Sequence, residues 1–484
     1  MKRTIYFLII LLIVFTAFSS CIFNNTKPTA TPSISPDKDK CNADFSLNGY
    51  YAATPPLTQY KNKNDLISKP SDPVRRGYTF GGWHTDAECT APWDFEKDKL
   101  ETHTLLYAKW TLNTYTLSFD LDGGTGTLPS PQELNYLDKA VKPQDSPTKE
   151  GFIFAGWWIK DSENKLSSEW NFSTDLPQCD VTLYAGWGTA GMNDDYSFVE
   201  LDSAVKILGF INPTAPETVL SIPSEINGKP VLSLGEKSFE YLTGPENIIL
   251  PFALTTINDR AFYNSPAVTN LTLPNSVTSI GKMAFHSCSD LYNLNIGKGV
   301  LNIGEMAFYQ CTSLLGYSTA TLTIPENVLI IEKEAFSIAG NAIYNLTLNN
   351  GLVRIGESAF KYTKILRVDI PDTVETIGAF AFQYNQYLTR IEIGKAIKSI
   401  GDMAFESCNN SLYVIINAEK PPVLGSIDVF GVFTYHNDVP NRPSFYITVP
   451  VDSEVAYESD EKFKVYYKTR ITALKFSDIV YPSR

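Results

Sequence analysis

A phenylalanine recurs through the second half of the chain at a nearly constant interval, each time directly behind a small residue. The intervals between successive phenylalanines are 23, 23, 23, 28, 24, 22 and 23 residues. An aliphatic residue stands five positions before each of them, and glycine follows that aliphatic residue in six of the eight turns. A period of this length describes one supersecondary unit that buries its apolar edge only against its neighbours. The pattern therefore predicts a solenoid whose turns are marked by Phe239, Phe262, Phe285, Phe308, Phe336, Phe360, Phe382 and Phe405.

Between these marks runs a segment of the form aliphatic-x-aliphatic, as in Leu271-Thr272-Leu273. One such strand per turn predicts a parallel sheet whose outward positions form a ladder. We interpret the ladder as a candidate surface for a protein or a glycan, bound through many modest hydrogen bonds. The alternative is a solvated face with cross-strand ion pairs, each worth well under about 1 kcal/mol. The predicted ladder residues are Asn270, Thr272, Asn293, Asn295, Thr321, Thr323, Asn345, Thr347, Arg367, Asp369, Arg390 and Glu392.

The first half of the chain contains a duplication. The block Gly77-Tyr78-Thr79-Phe80-Gly81-Gly82-Trp83 matches Gly151-Phe152-Ile153-Phe154-Ala155-Gly156-Trp157 at an offset of 74 residues. Leu106-Tyr107-Ala108-Lys109-Trp110 matches Leu183-Tyr184-Ala185-Gly186-Trp187 at an offset of 77, so three residues are inserted after the first shared tryptophan. Alternating aromatic and small residues around glycine turns predict half-buried strands. A unit of about 70 residues needs large side chains, and we expect the three shared tryptophans of each copy to form most of its core.

The duplicated unit and the periodic half each resemble a known family of repeats. The duplicated unit resembles the Listeria–Bacteroides repeat, which implies a small β-grasp-like module that serves bacterial surface proteins as a spacer or an adhesive unit. The periodic half, from about residue 200 to 470, resembles the BspA-type leucine-rich repeat, and Ile447-Thr448-Val449-Pro450 looks like its closing segment. The predicted fold is therefore mainly β and multidomain. Two β-grasp-like repeats precede a solenoid with a parallel sheet.

The N-terminus predicts export. Lys2 and Arg3 precede an apolar run that is short for a permanent membrane span, and Phe18-Ser19-Ser20-Cys21 resembles a bacterial lipobox. That resemblance implies an acylated Cys21 on the cell envelope, with the protein exposed at the outer-membrane surface. An ordinary cleaved signal with an incidental cysteine is the alternative. The predicted organisation is a signal peptide at 1–20, a flexible tether at 21–43, repeats at 44–111 and 114–190, and the solenoid with its closing segment at 196–475.

Charge and cysteine placement narrow the functional classes. With 40 Lys and Arg against 53 Asp and Glu, the net charge of −13 opposes nucleic-acid binding.

Cys288, Cys311 and Cys408 each lie three residues after a marker phenylalanine, which indicates that they occupy core positions. Cys288 and Cys311 are on adjacent turns, and whether they can form a disulfide depends on the distance between their Cα atoms. At most one disulfide can form among the remaining three cysteines, Cys41, Cys89 and Cys179.

The residues that carry chemistry favour binding over catalysis. No spacing of catalytic or metal-binding residues predicts an enzyme, a metal site or a cofactor. Asp120-Leu121-Asp122-Gly123-Gly124 is read as a turn, because Gly124 and Pro131 occupy positions where a calcium loop needs oxygen ligands. A hydrolase site near His436 and Asp438 is a minor alternative. We therefore expect a lipid-anchored, adhesin-like surface protein that binds an extracellular host or bacterial protein or glycan, or else an envelope-organising spacer without an external ligand.

Overall fold

The structure is a computed structural model. It describes residues 40–50, 53–212, 219–315, 321–339, 343–409, 412–426, 428–430, 446–451, 453–464 and 471–473. The predicted signal peptide, nearly all of the predicted tether, Cys21, His436 and Asp438 lie outside these residues.

The first repeat is a mixed four-stranded sheet. Its strands are β1 Lys40–Ser46, β2 Gln59–Asn62, β3 Tyr78–His84 and β4 Thr104–Leu112. They are ordered β2-β1-β4-β3, with β1 parallel to β4. Gly82, at a φ of 96°, forms a bulge in β3 that turns Trp83 into the core, where its ring lies 4.9 Å from that of Phe45. Trp93 and Trp110 pack against this core as partly buried side chains, as the sequence predicts.

The second repeat has the same sheet with one addition. Its strands are β5 Thr114–Asp120, β6 Gln132–Asn135, β7 Ile153–Lys160, β8 Leu166–Glu169 and β9 Val181–Met192. Pairing gives the order β6-β5-β9-β7-β8. The three inserted residues lie in the β7–β8 hairpin, because Trp157 and Trp170 are 13 positions apart where Trp83 and Trp93 are 10 apart. Trp157, Trp170 and Trp187 form the core with Leu117 and Leu183.

One strand joins the second repeat to the solenoid. The first half of β9 pairs with β5 and β7, and its second half pairs with β10, Tyr196–Leu201. β10 then pairs with β11, Val205–Phe210, which lies against the first turn of the solenoid. Continuous backbone hydrogen bonding therefore connects the two parts.

The solenoid has two parallel sheets, where the sequence predicted one strand per turn. The sheet that carries the predicted ladder contains β12 Val219–Ser221, β15 Asn247–Ile249, β17 Asn270–Thr272, β19 Asn293–Asn295, β21 Thr321–Thr323, β23 Asn345–Thr347, β25 Arg367–Ile370, β27 Arg390–Ile393, β29 Tyr413–Ile416, β31 Tyr446–Val449 and β32 Ile471–Ala473. It is divided between β19 and β21, where the phenylalanine interval lengthens to 28 residues.

The second sheet is made of shorter strands that contain the aliphatic marker residues. After the hairpin of β13 Glu225–Ile226 and β14 Lys229–Leu234, its two-residue strands are β16 Thr256–Ile257, β18 Ser279–Ile280, β20 Asn302–Ile303, β22 Ile330–Ile331, β24 Arg354–Ile355, β26 Thr376–Ile377, β28 Ser399–Ile400 and β30 Val423–Leu424. Glycine follows most of these strands because a Cβ would collide with the turn before: at Gly281 it would lie 2.5 Å from the backbone nitrogen of Asp259. We call the outward surface of this sheet the flank.

The marker phenylalanines stack in a column through the solenoid. From Phe239 to Phe405 the centroids of successive rings are 4.9 to 5.5 Å apart, and Phe430 adds a ninth ring that the sequence period missed. Near the C-terminus, α1 Glu454–Ser459 buries Tyr457, whose hydroxyl donates to the carbonyl of Ala418 at 2.8 Å. This helix is too short to cross a membrane, and no other helix in the described residues is long and apolar enough to do so.

The position three residues after each phenylalanine holds a hydrogen-bond donor in several turns. Cys288 Sγ donates to the carbonyl oxygen of Phe262 at 3.3 Å, and Cys311 Sγ donates to that of Phe285 at 3.2 Å. Ser265 makes the equivalent bond to Phe239 at 2.8 Å. The six cysteines of the described part of the chain are free thiols. The structure therefore pairs neither Cys288 with Cys311 nor any two of Cys41, Cys89 and Cys179.

Both repeats lie against the flank of the solenoid. Thr174 of the second repeat bonds Ser279 at 2.6 Å, and its carbonyl accepts from Asn302 Nδ2 at 3.0 Å. Trp158, which has no tryptophan counterpart in the first repeat, is fully buried in a cluster with Val199 and Leu232. Arg75 of the first repeat pairs with Glu375 of the solenoid, so both repeats are docked on this side of the solenoid.

Candidate functional site

The predicted ladder residues share one face of the long-strand sheet. Their side chains are exposed or half-buried, while the aliphatic residues between them, such as Leu271 and Leu322, are buried, except for the half-buried Leu294. The parallel register sets equivalent positions side by side, with Asn270 next to Asn293 and Asp369 next to Glu392. We call this surface the ladder face. The break between β19 and β21 divides it into two parts, because no pairing joins these strands.

In the N-terminal part, asparagines bond to one another along the solenoid. Asn293 Nδ2 donates to Asn270 Oδ1 at 2.5 Å, and Asn270 Nδ2 donates to Asn247 Oδ1 at 2.7 Å. Asn247 begins this row and was not among the residues predicted from the sequence, although it lies 23 residues before Asn270. The row uses much of its own hydrogen-bonding capacity internally, so the neighbouring exposed Thr272 and Asn295 are the freer side chains of this part.

In the C-terminal part, the ion pairs form within strands. Arg367 Nη2 lies 2.8 Å from Asp369 Oδ2, and Arg390 Nη2 lies 2.6 Å from Glu392 Oε2. These pairs differ from the cross-strand pairs of the alternative interpretation, because the parallel register places Arg367 beside Arg390 and Asp369 beside Glu392. Glu392 also accepts a hydrogen bond from Asn417 Nδ2 at 3.1 Å.

A cavity of about 690 Å³ opens on the C-terminal part of the ladder face. It has the size of a ligand cleft. Its lining includes Asp369, Arg390 and Glu392 from the predicted set. The structure adds residues that the strand pattern did not single out: Asp372, Lys395, Asn417, Glu419 and Thr448. Four carboxylates, of Asp369, Asp372, Glu392 and Glu419, face two cations there, so the cavity is acidic.

The second repeat is held to the flank by a buried carboxylate. Glu169 is 5% exposed and accepts from Lys206 Nζ at 2.5 Å, Ser233 Oγ at 2.5 Å and Asn258 Nδ2 at 2.9 Å. Such a charge is tolerated inside a protein only when it is paired and hydrogen-bonded. Close by, Asp259 accepts from Asn171 and Ser173 of the second repeat.

A second carboxyl group at this interface has a perturbed acidity. Burial raises the pKa of Asp175 to about 7, and the charges of Glu169 and Asp259 act in the same direction. The backbone N–H of Asn171 donates to Asp175 at 2.8 Å and opposes the increase. Among the described residues no three His, Cys, Asp or Glu side chains are grouped as metal ligands.

Family comparisons agree with this architecture. The model of the Listeria-Bacteroides repeat domain matches residues 42–109 and 115–186, and the model of the BspA type leucine rich repeat region matches residues 218–320 and 316–421. The chain carries two Listeria–Bacteroides repeats followed by a BspA-type leucine-rich repeat region. Both resemblances predicted from the sequence are confirmed, as is the fold class.

The curated relatives share only segments with the chain. Internalin H of Listeria monocytogenes is 32% identical over 164 residues, which are 34% of this chain and 28% of internalin H. A putative Gly-rich membrane protein of Evansella cellulosilytica is 40% identical over 121 residues, 25% of this chain and 13% of that protein. The chain therefore spans less than a third of the length of these relatives.

Two solved structures are similar at low identity. A leucine rich cell surface protein from Faecalibacterium prausnitzii is 23% identical, with a TM-score of 0.37, over 49% of this chain and 73% of that chain. A leucine-rich repeat protein from Bacteroides ovatus is 17% identical, with a TM-score of 0.29, over 59% of this chain and 100% of that chain.

Proposed function

We propose that this chain is a bacterial cell-surface binding protein of adhesin-like function that recognises a protein partner through the C-terminal part of the ladder face. The acidic cavity of about 690 Å³ is the observation that carries the proposal, because it places exposed and half-buried charged groups around a cleft on a rigid sheet. Its excess of carboxylates suits a basic segment of the partner. The relatives described as a cell surface protein and an internalin support a surface role.

An adhesion assay with point variants tests this binding role. The purified chain is applied to cultured epithelial cells and to whole bacteria, and saturable binding of the wild type is expected. Replacing both Asp369 and Glu392 by Ala removes two cavity carboxylates and is expected to lower binding at least tenfold. Glu163→Ala, at a 71% exposed side chain in the β7–β8 hairpin, is the matched control. Equal binding of the double variant and the control would refute the role of the ladder face.

The anchor is part of the same proposal. We place acylation at Cys21 and the protein at the outer surface of the cell envelope, on the strength of the lipobox-like Phe18-Ser19-Ser20-Cys21 segment. The variant Cys21→Ser is expected to move the protein from the membrane fraction to the soluble fraction. Treating intact cells with a non-permeant protease is expected to remove the solenoid while periplasmic controls stay intact. Protection of the solenoid would contradict surface exposure.

An envelope-organising role is the alternative function. The docking of both repeats on the flank favours it, because the contacts of Thr174 with Ser279 and of Arg75 with Glu375 hold the repeats against the solenoid. This alternative predicts self-association and no saturable binding to cells, so the adhesion assay separates the two functions. Recognition of a glycan at the ladder face is tested in the same assay by enzymatic removal of cell-surface glycans.

A further inference from the structure

A cleft of about 270 Å³ lies where both repeats meet the flank of the solenoid. Its walls come from three parts of the chain: Arg76 from the first repeat, Tyr136 from the second repeat, and Arg354 and Thr376 from the solenoid. The cleft depends on the docking of the repeats, so neither family's sequence pattern indicates it. Its residues Arg354 and Thr376 belong to the short-strand sheet, while Asn350 lines both this cleft and the acidic cavity of the ladder face.

An ion pair between the first repeat and the solenoid fixes the geometry of the cleft. Arg75 Nη2 lies 3.1 Å from Glu375 Oε1, and the two side chains are only 13% and 19% exposed. The guanidinium of Arg75 lies over the ring of Tyr78, 3.8 Å from its centroid, and Glu375 also pairs with Lys398 at 2.7 Å. The charge of Arg75 is therefore compensated inside the protein, and the side chain holds the first repeat against the solenoid.

Two further arginines of the cleft carry a positive charge that can interact with a bound ligand. Arg76 and Arg354 are exposed, and neither pairs with a carboxylate of the described residues. Arg76 donates from Nε to the amide oxygen of Gln178 at 2.9 Å, which positions its guanidinium and leaves the terminal nitrogens for another acceptor. In a chain with a net charge of −13, two uncompensated guanidinium groups in one cleft attract an anion. Guanidinium binds carboxylate groups through two parallel hydrogen bonds.

The size and the remaining walls of the cleft indicate which kind of carboxylate-bearing molecule would fit it. Its volume is near the lower end of small-ligand sites, which start at about 300 Å³, and it suits one compact ring rather than a folded domain. Leu112, Leu137 and Tyr136 supply apolar surface, while Asn350 and Thr376 supply amide and hydroxyl groups. A sugar ring matches both, because it presents C–H groups on its faces and hydroxyls at its edge. An acidic peptide side chain offers the carboxylate without the hydroxyls.

We propose that this cleft binds a carboxylated sugar unit of an acidic glycan, with Arg76 and Arg354 holding the carboxylate. The site is additional to the protein-binding role of the ladder face. Uronic acids and sialic acids both provide such a unit, so both are probed.

The test is calorimetric titration of the full chain with a uronic-acid tetrasaccharide, sialyllactose and neutral lactose. Binding of at least one acidic sugar is expected, with no measurable binding of lactose. The acidic sugar that binds shows whether the carboxylated unit is a uronic acid or a sialic acid. Arg354→Gln and Arg76→Gln are each expected to weaken binding at least tenfold. Lys165→Gln removes one positive charge from an exposed side chain outside the cleft lining and is expected to leave the affinity unchanged. Circular dichroism checks that the variants are folded.

Three outcomes would overturn the proposal: neither acidic sugar binds, binding survives both arginine substitutions, or lactose binds as tightly as the acidic sugars. A hexaglutamate peptide that binds as tightly, with the same dependence on Arg354, would replace the sugar by a peptide. Loss of cell adhesion in the Asp369 and Glu392 double variant with unchanged sugar binding would show that the two sites act separately.

Discussion

Arg367 lies directly opposite Arg390 in the parallel sheet, although each arginine has a carboxylate two positions further along its own strand. An in-register parallel solenoid brings equivalent positions together, so a charge pattern that is repeated in sequence stacks like charge on like charge. The within-strand carboxylates offset this repulsion. The two arginines are therefore each balanced within their own strand, and the acidic excess of the neighbouring cavity comes from carboxylates outside these pairs.

Removing one of these carboxylates should weaken the solenoid. Glu392→Gln leaves Arg390 beside Arg367 with less compensation, and we expect a loss of about 0.5–1 kcal/mol in the free energy of unfolding. The loss should be larger at low salt, because salt screens exposed charges. Urea unfolding at two salt concentrations measures it. Glu326→Gln, in an exposed pair with Lys298 at 3.6 Å, is the control and should change stability by less. A salt-independent effect would argue against repulsion between the arginines.

The phenylalanine column should dominate the stability of the solenoid. Phe308 is fully buried, and its ring centroid lies 5.3 Å from that of Phe285 and 5.2 Å from that of Phe336. Phe308→Ala should cost about 3–5 kcal/mol, because it removes contacts on both sides and leaves a cavity. Phe252→Ala, at a side chain that is 76% exposed, should stay within about 0.5 kcal/mol. Denaturant unfolding followed by circular dichroism compares the two, and similar losses would contradict the role of the column.

The interface between the second repeat and the flank should depend on one ion pair. Lys206→Met leaves Glu169 buried without its countercharge, and breaking such a pair costs about 3–5 kcal/mol. We expect faster hydrogen exchange in β8, β14 and β16, measured by mass spectrometry. Lys165→Met breaks the exposed pair with Glu163 and serves as the control, since surface pairs contribute about 0–1 kcal/mol. Unchanged exchange in the Lys206 variant would mean that the interface does not need the charge.

Asp175 should make the stability of this interface dependent on pH. Its pKa is raised to about 7 in the folded chain, above the ordinary value of about 4, so the folded state retains a proton that the unfolded chain releases. Stability from this group should therefore fall as the pH rises from about 4 to about 7 and then level off. Asp175→Asn should remove that part of the dependence. Unfolding experiments at a series of pH values compare the variant with the wild type, and identical profiles would contradict the assignment.

The core cysteines should be unreactive in the native protein. Burial raises the pKa of Cys288 to about 12 and that of Cys311 well above its ordinary value, so neither forms the reactive thiolate at neutral pH. Cys179 is exposed and should react readily with a thiol reagent. Mass spectrometry after alkylation of native and unfolded protein should find Cys288 and Cys311 labelled only after unfolding. Labelling in the native state would contradict the packing of this part of the column.

The periodic half of the fold was predictable from the sequence because its determinants are local. Phe262 and Phe285 lie 23 residues apart and meet in consecutive turns, so the spacing alone indicates a column of rings. The outward position of Asn270 and Thr272 follows in the same way from strand alternation. The second strand of each turn was missed because two residues such as Thr256 and Ile257 are too short to show a period.

The chain by itself determined the two kinds of repeat, their order and the inward-facing residues, since each of these depends on spacing along the sequence. Tertiary structure decided where the repeats lie. Arg75 meets Glu375 across 300 residues, and Glu169 is neutralised by Lys206 only after the second repeat docks on the flank. Such contacts depend on the match between two folded surfaces, and no periodic signal marks them in the sequence. The cleft lined by Arg76 and Arg354 arises at such a place, whereas the acidic cavity is formed by neighbouring turns of the solenoid.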